Sequence, residues 1–444
     1  MTVNPPEDRQ AERSEAERAG AGVTDCRPEA VVVTDPVVSW KACRCPLTAE
    51  QKLRSCEVIL VVGVFLARRH QKGLSMTRNG RLRLEDGNSF EGRLFGASAP
   101  VAGEVVFNTG MVGYPESLSD PSYTGQILVL TYPLVGNYGV PTYDRDQFGL
   151  PIGFESDRIQ VAGLVVLEHS EKFSHHLAGR SLDEWLSSEE IPALAGIDIR
   201  KLTKRLREKG TMLGAIEPTS IEEPVVFSDP SASDLVATVS VDEMIRYESG
   251  NTNAPTVVLL DCGCKSSIIR CLLQRGLNVV RVPHDHYFPG LDFDGLVISN
   301  GPGDPRMCPA AIRNVERALA LDVPILGICL GNQLLALAVG AETYKLPFGH
   351  RSQNQPCIEI EESGTRGKKC VITSQNHGYA VREKSLPSDW RPWFVNANDD
   401  TIEGICHVSK PLRSVQFHPE GNPGPVDSEW IFDDFAKTLN GRFR

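Results

Sequence analysis

From Thr256 onward the chain alternates short apolar runs with stretches of helical periodicity, and this alternation limits the fold more than any other feature. Val257–Leu260, Leu277–Val282 and Leu296–Ser299 read as strands, and Ser266–Gln274 and Ala310–Ala320 read as helices. A βαβα order predicts an α/β domain with a mostly parallel sheet and helices on both faces. Such sheets place their sites at the carboxyl ends of the strands. The next unit is Val-Pro-Ile-Leu-Gly-Ile-Cys-Leu-Gly-Asn-Gln, residues 323–333. Ile325, Leu326 and Ile328 form a buried strand that stops at Cys329, and Leu330, Leu334, Leu335, Leu337 and Ala338 then recur at helical spacing. Cys329 therefore sits on a sharp strand-to-helix turn, with Gly327 and Gly331 relieving crowding on either side. The positive end of the helix dipole favours a negatively charged sulfur there. The free backbone N–H groups of the first turn can stabilise an oxyanion. This is the geometry of a nucleophile elbow with Cys in place of Ser.

A thiol nucleophile needs a base, and the base needs something to orient it. Leu412–Phe417 reads as a strand that ends at His418-Pro419-Glu420. Pro419 stiffens the turn. A His and a Glu two apart beyond a strand end can point to the same side, so that the carboxylate holds the imidazole tautomer. His377, in Ser374-Gln375-Asn376-His377-Gly378-Tyr379, competes as the base. His418 is preferred because Glu420 accompanies it. Ser299-Asn300-Gly301-Pro302-Gly303-Asp304 follows another strand, and its Gly-Pro-Gly turn brings backbone close to the strand ends. It has neither the Lys-Ser/Thr of a phosphate loop nor a dinucleotide fingerprint. His284 and His286 lack further ligands at metal-site spacing, so no metal is expected.

A chain of 444 residues has room for two or three domains. Its net charge of −11 argues against nucleic acid or an anionic membrane as a partner. The 12 cysteines are scattered, several in apolar runs (Cys262, Cys271, Cys370, Cys406), as expected of reduced core residues in a cytoplasmic protein. Cys43, Cys45 and Cys56 have no fourth ligand at zinc-site spacing. The apolar run Val58–Ala67 is about half of the ~20 residues that a membrane span requires, and it lies too far from the start for a signal peptide.

Residues 1–75 fit no domain, and their composition predicts a poorly ordered extension. Past Met76, alternation on either side of Asp86-Gly87 predicts a hairpin. Strands at Val105–Phe107, Ile127–Leu130 and Val161–Leu167, with helices at Leu182–Leu186 and Ile199–Glu208, give residues 76–220 a mixed α/β domain of their own. Residues 221–254 read as a Pro- and Ser-containing linker, with a short helix near Val241–Tyr247. The second domain spans 255–440. After Gly340 it turns to β-rich pieces, then closes on a helix over Glu429–Leu439 with Asp427 or Ser428 as N-cap.

Gly327-Ile328-Cys329-Leu330-Gly331 with His418-Pro419-Glu420 resembles the class I, or triad, glutamine amidotransferases. Gly110-Met111-Val112-Gly113-Tyr114-Pro115-Glu116, Asp120-Pro121-Ser122-Tyr123 and Leu130-Thr131-Tyr132-Pro133-Leu134-Val135-Gly136-Asn137 narrow the likeness. They resemble the N-terminal domain of the carbamoyl-phosphate synthetase small subunit, which in animals is the glutaminase part of a fused pyrimidine-pathway protein. Asn354-Gln355-Pro356 and Asn376-His377-Gly378-Tyr379 also fit, and the likeness covers about residues 78–440.

The resemblance implies that glutamine and water give glutamate and ammonia. Cys329 would form a glutamyl thioester, His418 would relay protons and Glu420 would orient it. The N–H groups of Leu330 and Gly301 would form the oxyanion hole. Ser122, Gly301, Gly303 and Leu330 match glutamine-binding positions, as do Gln333, Asn376, Gly378 and Tyr379. Ser122 belongs to the first domain, so glutamine would bind near the domain interface. Ammonia would pass to a large synthetase component, separate or fused, that consumes bicarbonate and two ATP with Mg, for pyrimidine or arginine synthesis. No cofactor is expected in this chain itself.

Three positions depart from the family pattern. Asn332 stands where His is usual, Ser352-Gln353 replaces a Gly-containing pair, and Gly421 follows the triad Glu where a larger residue is common, which predicts a looser loop. One branch of the family has lost the Cys and its glutaminase activity; Cys329 argues against that state. The competing readings are a non-catalytic docking subunit that keeps the fold and an amidotransferase for anthranilate or guanylate synthesis. The segments at 110–116 and 130–137 argue against the latter.

Overall fold

The computed structural model describes residues 78–441, apart from 252 and 289. The expectations for the N-terminal extension, for Val58–Ala67 and for Cys43, Cys45 and Cys56 lie outside the described residues. Among those described, no helix is long and apolar enough to cross a membrane.

The first half is a closed seven-stranded barrel: β1 (Asn79–Leu84), β2 (Ser89–Gly96), β3 (Val101–Asn108), β4 (Gln126–Leu130), β5 (Gly163–Val166), β6 (Pro192–Ala195) and β7 (Met212–Pro218). Its order is β1-β7-β3-β4-β5-β6-β2, with β2 pairing back onto β1. Gly87, at φ 85°, turns the β1–β2 hairpin where Asp-Gly predicts one. The order β3-β4-β5-β6 runs parallel. Helices α1 (Leu182–Ser188) and α2 (Ile199–Lys209) pack on the barrel; Ser181 and Glu184 form a capping box on α1, and Asp198 caps α2.

The second half is a ten-stranded sheet: β8 (Ile245–Tyr247), β9 (Thr256–Asp261), β10 (Asn278–Pro283), β11 (Gly295–Ile298), β12 (Ile325–Ile328), β13 (Thr343–Ile360), β14 (Arg366–Val381), β15 (Trp390–Asn396), β16 (Ile402–His407) and β17 (Leu412–Val415), in the order β8-β10-β9-β11-β12-β17-β16-β15-β13-β14. Five central strands (β10, β9, β11, β12, β17) are parallel. The rest pair antiparallel, so the sheet is mixed: β8 is antiparallel at one edge, and the β-rich stretch after Gly340 supplies the antiparallel strands at the other. Side chains alternate across β9. Val257 and Leu259 pack with α3 (Ser266–Gln274) and with α6 (Trp430–Asn440). Val258 and Leu260 pack with α4 (Pro309–Leu319) and α5 (Leu330–Ala338). Both faces are thus covered, which is why the central strands read as continuous apolar runs.

Several local expectations are corrected. The helical turn before the second domain is Val236–Val239, not 241–247. The Asp261 carboxylate accepts from Val241 N at 2.7 Å and its carbonyl accepts the Ser240 hydroxyl, so the chain leaves the helix there and Ile245–Tyr247 becomes an edge strand on β10. Helix α6 starts after Glu429 without a side-chain cap; Asp427 instead accepts from Ile372 N, and Ser428 Oγ has no partner. Packing of Ile431, Phe432 and Phe435 on the sheet fixes its start. The cysteines among the described residues are free, but Cys370 is exposed rather than in the core because it lies on a solvent-facing stretch of β14.

Candidate active site

Cys329 is the N-cap of α5, with φ 55° and ψ −104°. A non-glycine residue there stores roughly 1–3 kcal/mol of backbone strain, which the surroundings must impose. They do so from both sides. Cys329 N donates to Val415 O of β17 at 2.8 Å. A Cβ on Gly331 would stand 2.2 Å from Ile298 O, and one on Gly327 2.6 Å from Gly331 O. Only glycines let α5 start so close to β11 and β12.

His418 follows β17, and its backbone N–H donates to Ser374 O at 2.9 Å. Its Nδ1 lies 2.7 Å from Glu420 Oε1. Nε2 has no hydrogen-bond partner, although the Cys329 sulfur is close enough to favour the protonated ring; the thiol itself donates to Asn376 O, at 3.6 Å. Burial alone would push His418 toward the neutral form, but the Glu420 charge and the Cys329 sulfur together outweigh it and raise the imidazole pKa above its ordinary value. Burial likewise opposes ionisation of Glu420, yet the Lys265 and His418 charges hold its carboxyl far below the usual range.

The eight positions assigned to glutamine all line one cleft with Cys329. Ser122 Oγ accepts from Asn300 Nδ2 at 2.9 Å, and Asn376 Nδ2 donates to Asp120 Oδ2 at 3.0 Å. Both bonds join the barrel half to the sheet half. Gln333 Nε2 donates to Tyr379 O at 3.0 Å, tying α5 to β14.

Sequence reasoning missed the charged groups around this site. Lys265, 2% exposed, donates from Nζ to Glu420 Oε1 at 2.8 Å. Glu155 of the barrel half, fully buried, accepts from the backbone N–H and hydroxyl of Ser267 at the start of α3. Burial raises the Glu155 carboxyl above its usual range. Glu104, Lys345 and Arg351 line the cleft as well. One signal pointed to Lys265: a lone cation in the short turn that follows an apolar strand, where parallel sheets carry their sites.

The rival base is engaged elsewhere. His377 Nδ1 lies 2.9 Å from Tyr379 O and Nε2 3.2 Å from Gln375 Oε1, and burial holds its pKa well below the ordinary value. His284 and His286 sit in a loop held by Asn314 Nδ2 through their carbonyls. His350, His377 and Glu403 bring potential ligand atoms within 4.8 Å of one another, but both nitrogens of each imidazole already face a hydrogen-bonding partner.

Of the departing residues, Asn332, Gln353 and Gly421 fit their surroundings, whereas the buried Ser352 Oγ has no hydrogen-bond partner. Asn332 donates to Gln416 Oε1 at 3.0 Å and accepts from Ser414 Oγ at 2.8 Å, so its amide is satisfied beneath α5. Gln353 Nε2 donates to Val112 O at 2.7 Å, and a Cβ on Gly110 would meet it. Gly421 has φ 64°, and a Cβ there would lie 2.2 Å from Pro425 O, so glycine closes this turn tightly instead of loosening it.

Residues 258–438 match the family model for glutamine amidotransferase class-I, and residues 82–216 match that for the carbamoyl-phosphate synthase small chain, CPSase domain. The chain carries both domains. The synthase small-chain domain contains most of the barrel, and the amidotransferase domain contains Cys329, His418 and Glu420. The chain is 53% identical over 360 residues to the multifunctional protein CAD of Squalus acanthias, covering 80% of this chain and 16% of that one. It is 48% identical over 383 residues to the multifunctional protein pyr1-3 of Dictyostelium discoideum, covering 82% and 17%. It is also 48% identical over 360 residues to the human carbamoyl-phosphate synthase [ammonia], mitochondrial, covering 80% and 23%. The chain thus spans less than a quarter of the length of each of these relatives.

Proposed function

We propose that this chain is the glutaminase of a glutamine-hydrolysing carbamoyl-phosphate synthase. One observation carries the reading: a thiol on a strained elbow beside an imidazole whose Nδ1 is locked onto Glu420 and whose Nε2 has no other partner. Cys329 Sγ attacks the side-chain carboxamide carbon while His418 Nε2 takes the thiol proton. The tetrahedral oxyanion is held by the N–H groups of Leu330 and Gly301. His418 returns the proton to the amine, ammonia leaves, and a glutamyl thioester remains. Water then attacks the thioester with His418 as base, releasing glutamate and the thiol.

The ammonia passes to a synthetase component that uses bicarbonate, ATP and Mg. That two relatives bear the names of multifunctional proteins supports a fused component; a cytoplasmic location and carbamoyl phosphate for pyrimidine synthesis are what the family resemblance implies. One relative's name specifies ammonia as its nitrogen source; Cys329 and its partners favour glutamine here. In the enzyme containing the synthetase component, Cys329→Ser abolishes glutamine-dependent synthesis and spares ammonia-dependent synthesis. Loss of both in a folded variant overturns this division of labour. Stoichiometric labelling of Cys329 by a glutamine-like electrophile separates a glutaminase from a docking subunit that only keeps the fold.

A further inference from the structure

Glu155 lies in the connection between β4 and β5, in the barrel half, and is fully buried. A carboxylate taken out of water is costly unless hydrogen bonds offset the loss. Every hydrogen bond that this carboxylate accepts comes from the sheet half. Oε1 accepts from Ser267 Oγ at 2.7 Å and from Asn422 Nδ2, and Oε2 accepts from the Ser267 N–H at 3.1 Å. The Glu155 backbone is tied to both halves. Its N–H donates to Ser119 Oγ of the barrel half at 2.9 Å, and its carbonyl accepts from Ser266 N at 2.9 Å.

The two side chains that Glu155 holds have a common placement. Ser267 lies two residues beyond Lys265, and Asn422 lies two residues beyond Glu420. The start of α3 and the loop after β17 are therefore joined by two rungs. Lys265 Nζ to Glu420 Oε1, at 2.8 Å, is the first, and Asn422 Nδ2 to Ser267 Oγ, at 2.9 Å, is the second. Glu155 Oε1 closes the second rung by accepting from both of its members. Gly421 N donates to His418 O at 3.1 Å, so the turn that carries Glu420 moves with Asn422. The barrel half meets this loop at a second point, where a Cβ on Gly113 would stand 2.2 Å from Pro423 Cβ.

We propose that Glu155 is a positioning residue for the His418–Glu420 dyad, acting from the barrel half through Asn422 and Ser267. This rests on the glutaminase reading above. Glu420 Oε1 is shared between His418 Nδ1 at 2.7 Å and Lys265 Nζ at 2.8 Å, so a small shift of the loop alters both bonds at once. The imidazole then turns, and Nε2 loses its alignment with the Cys329 thiol. A misplacement of about 1 Å can cost about 100-fold in rate. Affinity for glutamine is untouched, because Glu155, Ser267 and Asn422 do not line the cleft.

Ammonia release from glutamine by the full chain tests this, with urea midpoints to establish that each variant is folded. Glu155→Gln keeps the side chain's shape but turns one acceptor oxygen into a donor that opposes the Ser267 N–H or Asn422. It lowers kcat about 10- to 100-fold and leaves KM within about threefold of wild type. Asn422→Ala removes the same link from the loop side and lowers kcat in the same way. Asn422 is only half-buried, so this variant carries the comparison if the Gln variant does not fold. The double variant is no slower than the slower single one, because both break one connection. A double variant whose loss is the product of the two, a KM that rises in place of a falling kcat, or an unchanged kcat in the folded variants overturns the role of Glu155 alone. A wild type that releases no ammonia overturns the glutaminase reading and this inference with it.

Discussion

Lys265 and Glu420 meet at 2.8 Å, and the carboxylate oxygen that Lys265 holds is the one that faces His418 Nδ1 at 2.7 Å. Glu420 thus orients the imidazole while its own charge is balanced by a second cation buried on the other side. Glu155 and Asp120, both on the barrel side, contribute further negative potential at Lys265. The electrostatics of the triad are therefore set partly by the domain that holds no triad member.

Lys265→Met tests that relationship. It leaves a buried carboxylate with one partner fewer, so stability falls by roughly 3–5 kcal/mol, measured as a shift in the urea midpoint. The catalytic effect has a defined sign. Lys265 lowers the His418 pKa. Its removal lets the imidazole keep its proton to higher pH, so the rising limb of the glutaminase pH–kcat profile moves upward. An unmoved profile in a folded variant would show that Lys265 acts on stability alone.

Gly331→Ala tests whether the elbow depends on close backbone approach. The added methyl would stand 2.2 Å from Ile298 O, a backbone atom of the central sheet that has no rotamer to escape into. Overpacking of this kind costs about 1–3 kcal/mol. Because Gly331 lies two residues from Cys329, the shift falls on the nucleophile, and kcat drops further than stability does. Thermal unfolding and glutamine hydrolysis measured on one preparation separate the two effects.

Much of this was legible in the sequence because it rests on local pattern. The period switch from strand to helix around Cys329 gave the elbow, and a His and a Glu two apart beyond a strand gave the dyad. Lys265, Glu155, Asp120 and Arg351 were not legible as a group, because their partners lie far away in sequence; Glu155 meets Ser267 across 112 residues. Nor could spacing show that Gly421 is required by its left-handed turn, since the clash is with Pro425 O brought back by the following loop. The barrel closure depends on β2 returning to β1 after pairing with β6, which no single stretch of chain encodes.

A last prediction concerns pH and the buried chain behind the cleft. His350 Nε2 lies 2.9 Å from Asp399 Oδ2 and Nδ1 3.1 Å from Glu403 Oε1. Burial by itself would lower the His350 pKa, but the hydrogen bonds to the two carboxylates outweigh it and raise the pKa to about 9. A histidine whose folded pKa exceeds its unfolded value of about 6.5 contributes stability that is complete below about pH 6.5 and disappears as pH rises through about 9. The partner Asp399, lowered to about 2, contributes above about pH 4 and loses its share as pH falls toward 2. His350→Asn therefore destabilises the protein by about 2–3 kcal/mol at pH 6, and the gap from wild type closes by about pH 10. Urea midpoints of the two proteins at pH 6 and pH 10 measure it directly; an equal gap at both values would mean that His350 acts by packing and not by charge.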